Sequence, residues 1–269
     1  MNTARIAELL KPFLGQASTP NPFYSEPGQK PGEEPAVLSP ILLQHISTYI
    51  DILLRWNARI NLTAIRDPED IVARHFGESL FAARHLFPGG RLAVGGRAAL
   101  QGRVSAQEKI GALAPEAKDN DQRPETNDRL TVADIGSGAG FPGLPLKLWA
   151  PHISLTLIES NHKKAAFLRE VARALTLTDV NIQNARAESL PPATFSLVTL
   201  RAVEHFASVL PVAASLVAPA GRLALLVGAP QQDEARTILP HFTWLAPAAI
   251  PNSRSRVLLV GTKPEVFQD

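Results

Sequence analysis

Cysteine is absent from the 269 residues, which removes disulfides, thiolate zinc sites and cysteine nucleophiles together. A chain without disulfides fits a reducing compartment without demanding one. No uninterrupted apolar run approaches the roughly 20 residues that a membrane helix needs. The seven histidines show no paired ligand spacing, so no metal centre is expected. Neither sign of charge dominates: the formal net charge is +2 and the pI about 9.0. Arginine clearly outnumbers lysine, and its planar fork suits phosphate. Met1 to Gln16 interleaves Arg5, Glu8 and Lys11 with apolar residues, which predicts a short amphipathic helix and not a signal peptide. Cytoplasm is the expected location.

Glycine, by contrast, is concentrated where it matters. Val132-Ala133-Asp134-Ile135 is a short apolar run ending beside an acid, and Gly136-Ser137-Gly138-Ala139-Gly140-Phe141-Pro142-Gly143 follows. Without a Cβ, glycine takes positive φ and lets a ligand lie against backbone N–H groups. A helix beginning just after the turn would aim its positive end at that ligand. A dinucleotide fingerprint, G-x-G-x-x-G, would put its third glycine where Phe141 stands. The form Asp134-x-Gly136-x-Gly138-x-Gly140 resembles motif I of the class I S-adenosylmethionine (SAM) methyltransferases instead. Ile153 to Ile158 alternates as a buried strand and ends at Glu159, about 20 residues past the turn, where an acid accepts ribose hydroxyls. That spacing alone does not separate NAD from SAM.

The rest of the chain falls into four parts. Residues 1–40 form an N-terminal extension whose Pro- and Gly-rich stretch, Ala17 to Pro35, reads as a linker. Residues 41–87 form a helical cap: Ser39-Pro40 starts one helix, with Leu42, Ile46, Tyr49, Leu53 and Trp56 on its apolar face, and Asp67-Pro68 starts a second that Pro88-Gly89-Gly90 stops. Residues 88–129 are rich in Gly, Ala, Gln and charge and read as a flexible surface insertion. Residues 130–269 alternate strand and helix, with strands expected near 131–135, 153–158, 179–183, 195–200 and 222–227, a turn at Ala218 to Gly221, and closing strands near Phe242 to Leu245 and Arg256 to Val260. This is a doubly wound α/β sheet, with residues 41–269 expected to fold as one unit.

An ordered set of short motifs then narrows the choice. Asn57 to Pro68, Arg74-His75, Glu78-Ser79-Leu80, the Gly136 to Pro145 turn, Leu157 to Ser160, Lys163-Lys164, Phe167-Leu168, Arg186-Ala187-Glu188 and Arg201-Ala202 follow one another along residues 41 to 262. In this order they resemble the RsmG (GidB) family of bacterial small-subunit ribosomal RNA methyltransferases. The resemblance implies a seven-stranded, Rossmann-like SAM-dependent methyltransferase fold with the last strand antiparallel. It implies methylation of N7 of a guanine in 16S rRNA, G527 in the usual rRNA numbering. SAM would be the cofactor and 16S rRNA or the small ribosomal subunit the partner, with no membrane and a monomeric enzyme.

The resemblance places Gly136 and Phe141 on the methionine side of SAM, Ala187 and Glu188 at the adenine edge, and Arg201 beside cofactor or substrate. Asp134, Gly138 and Glu159 complete the expected cofactor-binding set. Asn61, His75 and Glu78 are expected on the opposite wall. Two departures stand out: Glu78 replaces the family's usual Asp, and Val227-Gly228 replaces its Lys-Gly after the fifth strand. After the fourth strand the chain reads Leu200-Arg201-Ala202-Val203, not the Asp/Asn-Pro-Pro-aromatic motif that holds exocyclic amines. That suits a ring nitrogen with its own lone pair. No general base and no catalytic triad are needed, and catalysis is positioning. Lys163, Lys164, Arg169 and Arg173, or Arg55, Arg59, Arg66 and Arg74 in the cap, are candidates for phosphate contacts. Two other readings stay open: an NAD-linked oxidoreductase, against which the absence of Tyr-x-x-x-Lys counts, and a non-catalytic SAM- or RNA-binding module.

Overall fold

The structure, a computed structural model, describes residues 1–15, 38–88, 130–201 and 205–265. The expected linker and most of the expected 88–129 insertion lie outside these residues. Side chains cap the helices of the N-terminal region, Asn2 the first of them. Ser39 Oγ accepts from Leu42 N–H at 3.2 Å at the head of α2 (Pro40–Asn57). Asp67 Oδ1 accepts from Glu69 and Asp70 N–H at 2.9 and 3.0 Å at the head of α3 (Pro68–Ile71). Each thereby satisfies N–H groups that the first helical turn leaves without partners.

The expected single helix to residue 87 is instead three pieces. A π-helical turn, Val72–Gly77, separates α3 from α4 (Glu78–Leu86). Such bulges often mark functional sites, and this one carries His75 and leads into Glu78. The N-terminal helix α1 (Thr3–Leu14) buries Ile6, Leu10, Phe13 and Leu14 in the same apolar core as the cap.

The sheet order is β3-β2-β1-β4-β5-β8-β6. Strands β1 (Thr131–Ile135), β2 (Ser154–Ile158), β3 (Val180–Gln183), β4 (Phe195–Arg201) and β5 (Val217–Gly228) run parallel. β8 (Arg256–Thr262) is antiparallel to β5. The expected seven strands become eight segments because the edge is split. β6 (Thr243–Trp244) and β7 (Ala248–Ala249) both pair with β8, and Pro247, with no N–H to donate, stands between them. The expected turn at 218–221 lies inside β5 as an irregularity. Register with β4 jumps between Phe195↔Val217 and Leu197↔Arg222, and Ala220 takes φ +57°.

Helices α5 (Gly143–Trp149) and α6 (His162–Ala174) share one apolar core with α1, α2 and the cap. Helices α7 (Phe206–Leu216) and α8 (Pro230–Ile238) cover the other sheet face with a second core. The strand order reverses between β1 and β4. Ligands of open α/β sheets bind beyond the carboxyl ends at such a point. The glycine turn leaves β1 there, and Arg201 closes β4 there.

Candidate active site

Gly136, Gly138 and Gly140 take φ of +65°, +53° and +86°, the left-handed region that glycine alone enters without a Cβ penalty. The turn is pinned to β2: Gly136 and Ser137 N–H donate to Ile158 O at 2.9 and 3.1 Å. Glu159 Oε2 accepts from Gly138 N–H and Oε1 from Asn161 N–H, both at 2.8 Å. Glu159 therefore ties the glycine turn to the start of α6, and each of its oxygens keeps a second lone pair. A Cβ added to Gly138 would meet nothing nearer than Gly136 O at 3.6 Å, and Gly136 itself is exposed. One side of the turn is thus open.

Asp134 faces the other way. It is fully buried; Thr199 Oγ1 donates to its Oδ1 at 2.8 Å, and Gly143 N–H donates to Oδ2 at 3.2 Å. Burial pushes its pKa up to about 6, against the opposing pull of the Thr199 and Gly143 hydrogen bonds. The head of α5 thus meets an internal carboxylate, and Asp134 holds the turn in shape from behind.

The cap covers the turn with aromatic rings. Tyr49 stacks on Phe141 with centroids 5.3 Å apart and planes 4° from parallel. His75 stacks on Phe141 at 4.7 Å and Phe76 meets it edge-on at 5.0 Å. The Tyr49 hydroxyl donates to Ala139 O at 2.5 Å.

Arg201 sits under this lid, its side chain 9% exposed. Its Nη2 lies within hydrogen-bond distance of Arg74 O at 2.7 Å, His75 Nδ1 at 3.0 Å and Glu78 Oε2 at 3.1 Å. Its Nε is buried without an acceptor. Arginine only donates, so His75 Nδ1 accepts and His75 Nε2 carries the proton, which it donates to Thr63 Oγ1 at 2.8 Å. Burial, then the charges of Arg201, Arg74 and Arg256, holds the His75 pKa down to about 3. Burial also lowers the Arg201 pKa, with Glu78 opposing. Arg256 Nε approaches the same Glu78 oxygen at 3.0 Å, close enough for an ion pair but misaligned for a hydrogen bond. One carboxylate from the cap thus serves two guanidiniums, from β4 and β8.

Of the residues expected from sequence, Gly136, Gly138, Phe141, Glu159 and Arg201 gather around the turn with His75 and Glu78. Ala187 is buried at the head of a 3₁₀ turn, Ala187–Ser189, after β3, and Glu188 beside it is exposed. Asn61 is exposed on a loop that Asn57 Oδ1 holds by accepting from Leu62 and Thr63 N–H. Tyr49, Thr63, Thr199 and Arg256 were not singled out for the site. Tyr49 had a signal: it is one of two tyrosines, placed on an apolar stripe where its hydroxyl needs a partner. Arg256 had none, because only strand pairing brings it to Glu78. Among the described residues no group of three or more His, Asp or Glu is placed to hold a metal.

Comparison with known proteins decides the family. The model for GidB, rRNA small subunit methyltransferase G, matches residues 42–95 and 122–245. The chain belongs to this family. The match breaks between residues 95 and 122, within the stretch that composition marks as an insertion. A ribosomal RNA small subunit methyltransferase G from Xylella fastidiosa is 34% identical over 76% of this chain and 76% of its own. One from Halorhodospira halophila is 37% identical over 71% and 72%. Among solved structures, a SAM-dependent methyltransferase from Aquifex aeolicus is similar with a TM-score of 0.43, at 17% identity over 49% of this chain and 81% of that one. So distant a likeness adds nothing to the assignment.

Proposed function

We propose that this protein transfers the methyl group of SAM to N7 of a guanine in 16S rRNA, the base numbered 527. The observation that carries this reading is the end of β4. There Arg201, a group that cannot take up a proton, is fixed by three acceptors, and His75 beside it is held neutral with its Nδ1 occupied. Among the described residues the proton acceptor at this point, the Glu78 carboxylate, is paired with Arg201 and Arg256. Guanine N7 needs no acceptor, because its lone pair is free to attack.

SAM supplies an electrophilic methyl carbon on a sulfonium sulfur. The open side of the turn at Gly136 and Gly138 suits its amino-acid tail, which has no phosphate to demand a longer cradle. Glu159, with a lone pair left on each oxygen, would accept the ribose hydroxyls. The Ala187–Glu188 turn would edge the adenine. Phe141, locked between Tyr49 and His75, would fix the methionine side and keep water from it. Arg201 would orient the incoming base, so that N7, methyl carbon and sulfur lie in line. Alignment of this kind accounts for a large part of a methyl-transfer rate without acid–base help. An N7 buried in folded rRNA has to be exposed first, and extruding the base is a known means.

Among the described residues no helix is long and apolar enough to cross a membrane. The proposed activity on rRNA calls for an enzyme that acts in the cytoplasm, and we propose that it acts there as a monomer. The decisive experiment is methyl transfer from labelled SAM to naked 16S rRNA and to small subunits from cells lacking this gene, followed by mass mapping of the product. The expected label is a single N7-methylguanine at position 527. Label elsewhere, or SAM binding without transfer, would overturn the assignment.

A further inference from the structure

Two stretches separated in sequence, residues 52–66 and 160–178, hold five arginines and two lysines against one acid, Glu170. Their formal charge is +6 with histidine neutral, and single acids flank them at Asp51, Asp67, Glu159 and Asp179. The excess of positive charge lies within the stretches. The fold joins the two stretches. Trp56 Nε1 on α2 donates to Glu170 Oε2 on α6 at 2.9 Å, and its ring meets Phe167 at 5.9 Å. Arg55 pairs with Glu170 Oε1 at 3.5 Å. A shallow cavity of about 130 Å³ opens between Arg55, Trp56, Arg59 and Glu170.

Arg55 and Trp56 thus occupy the one acid of this ridge. Arg59, Lys163, Arg169 and Arg173 are exposed, and among the described residues none of them forms an ion pair. The ridge reaches the cleft at two places. Asn161, which caps α6, donates its N–H to Glu159, and Thr63, on the loop after α2, bonds to His75 beside Arg201. A polyanion lying on the ridge would therefore run directly to the point where a base must enter.

We propose that this ridge, centred on Arg59 and Arg173, is the surface on which the sugar–phosphate backbone of the rRNA substrate lies. The proposal rests on the rRNA reading above. Five of the seven cations are arginine, whose fork matches phosphate oxygens. An acidic lipid surface fits less well. The only large apolar side chain strongly exposed among the described residues is Ile41, which lines a hollow with Leu175 and Thr178 at one end of the ridge, so a single side chain is all that the ridge could insert among lipid chains.

The test is Arg59→Glu and Arg173→Glu, singly and combined, with Arg236→Glu on α8, exposed and off the ridge, as the control for the equal charge change of each single variant. Binding of 16S rRNA is measured against salt, with KM and kcat for methyl transfer and SAM affinity by calorimetry. The expected result is about a tenfold or larger rise in rRNA Kd and KM, and a salt slope shallower by about 1 to 2. SAM affinity and kcat at saturating rRNA should hold. Unchanged rRNA binding, an equal effect from Arg236→Glu, or a parallel fall in SAM affinity would each overturn the proposal. So would tight binding of anionic vesicles that the double variant loses while keeping rRNA affinity. If the unaltered protein transfers no methyl to rRNA, the functional reading fails on its own, and the rRNA binding comparison still decides the ridge.

Discussion

The Tyr49 hydroxyl, on the cap, donates to the Ala139 carbonyl, in the middle of the glycine turn, while its ring stacks on Phe141 two residues further on. One cap residue therefore holds both the backbone and a side chain of the turn, and burial keeps its phenol protonated by raising its pKa well above the usual value. Tyr49→Phe keeps the stack and deletes the hydrogen bond, leaving a buried carbonyl without its donor. The expected cost is about 1–3 kcal/mol of stability, read by urea unfolding, with weaker SAM binding. Unchanged stability and affinity would show that the hydroxyl contributes nothing to the turn.

Two glycines of the same turn should fail in different ways. A Cβ on Gly140 would lie 2.2 Å from the Tyr49 hydroxyl and 2.7 Å from Leu144 Cδ1, so Gly140→Ala should destabilise the fold itself. A Cβ on Gly138 meets only ordinary contact, and its penalty is the left-handed φ, about 1–2 kcal/mol, plus whatever it takes from the open side. Gly138→Val should therefore abolish SAM binding while shifting the melting temperature less than Gly140→Ala does. Calorimetry beside thermal melts separates the two. Normal SAM affinity in Gly138→Val would place the cofactor elsewhere.

The sheet and the turn were legible in sequence because both are local. β1 is a short apolar run with an acid next to its end, β2 alternates and is followed by Glu159, and three glycines at alternate positions admit few conformations. The acids themselves were less legible. Asp134 and Glu159 were both read as facing the cofactor, but their N–H partners come from Gly143 and Gly138, and only the folded turn reveals that Asp134 points inward. The π-helical turn was hidden because Val72–Gly77 keeps helical composition; the extra residue per turn changes which side chains face the cleft. Arg256 was invisible for the opposite reason: it enters through the Gly228↔Arg256 pairing, a contact far apart along the chain.

Glu78 offers a test of that long-range contact. Its Oε2 is shared by Arg201 and Arg256, with the carboxylate side chain 6% exposed and Arg256 27% exposed. Removing the acid leaves two guanidiniums facing each other without compensation, so Glu78→Ala should cost about 3 kcal/mol, the low end for a buried pair because Arg256 reaches solvent. Glu78→Asp restores the residue usual in the resembling family but shortens the reach, and should lose less stability than Glu78→Ala. Denaturant unfolding measures both. A loss below about 1 kcal/mol for Glu78→Ala would mean that water already satisfies both arginines.

His75 should govern part of the acid limb of stability. Its pKa is held down to about 3 in the fold, against an ordinary value of 6.5. Above pH 6.5 the side chain is neutral in both states, and the fold keeps its full contribution. Between 6.5 and 3 the unfolded chain binds a proton that the folded chain refuses, so stability falls with falling pH, by up to about 1.4 kcal/mol per unit. Asp134 acts oppositely: with its folded pKa raised to about 6 from 3.8, the fold takes up a proton first and gains stability as pH drops through that window. The two partly cancel between pH 6 and 4, which hides the histidine in the unaltered protein. His75→Gln removes one of the pair and keeps a polar side chain near Arg201 and Thr63. Unfolding free energy measured from pH 7 to 4 should then fall less steeply than in the unaltered protein, or rise. An identical slope in both would mean that His75 takes up its proton without leaving the folded state.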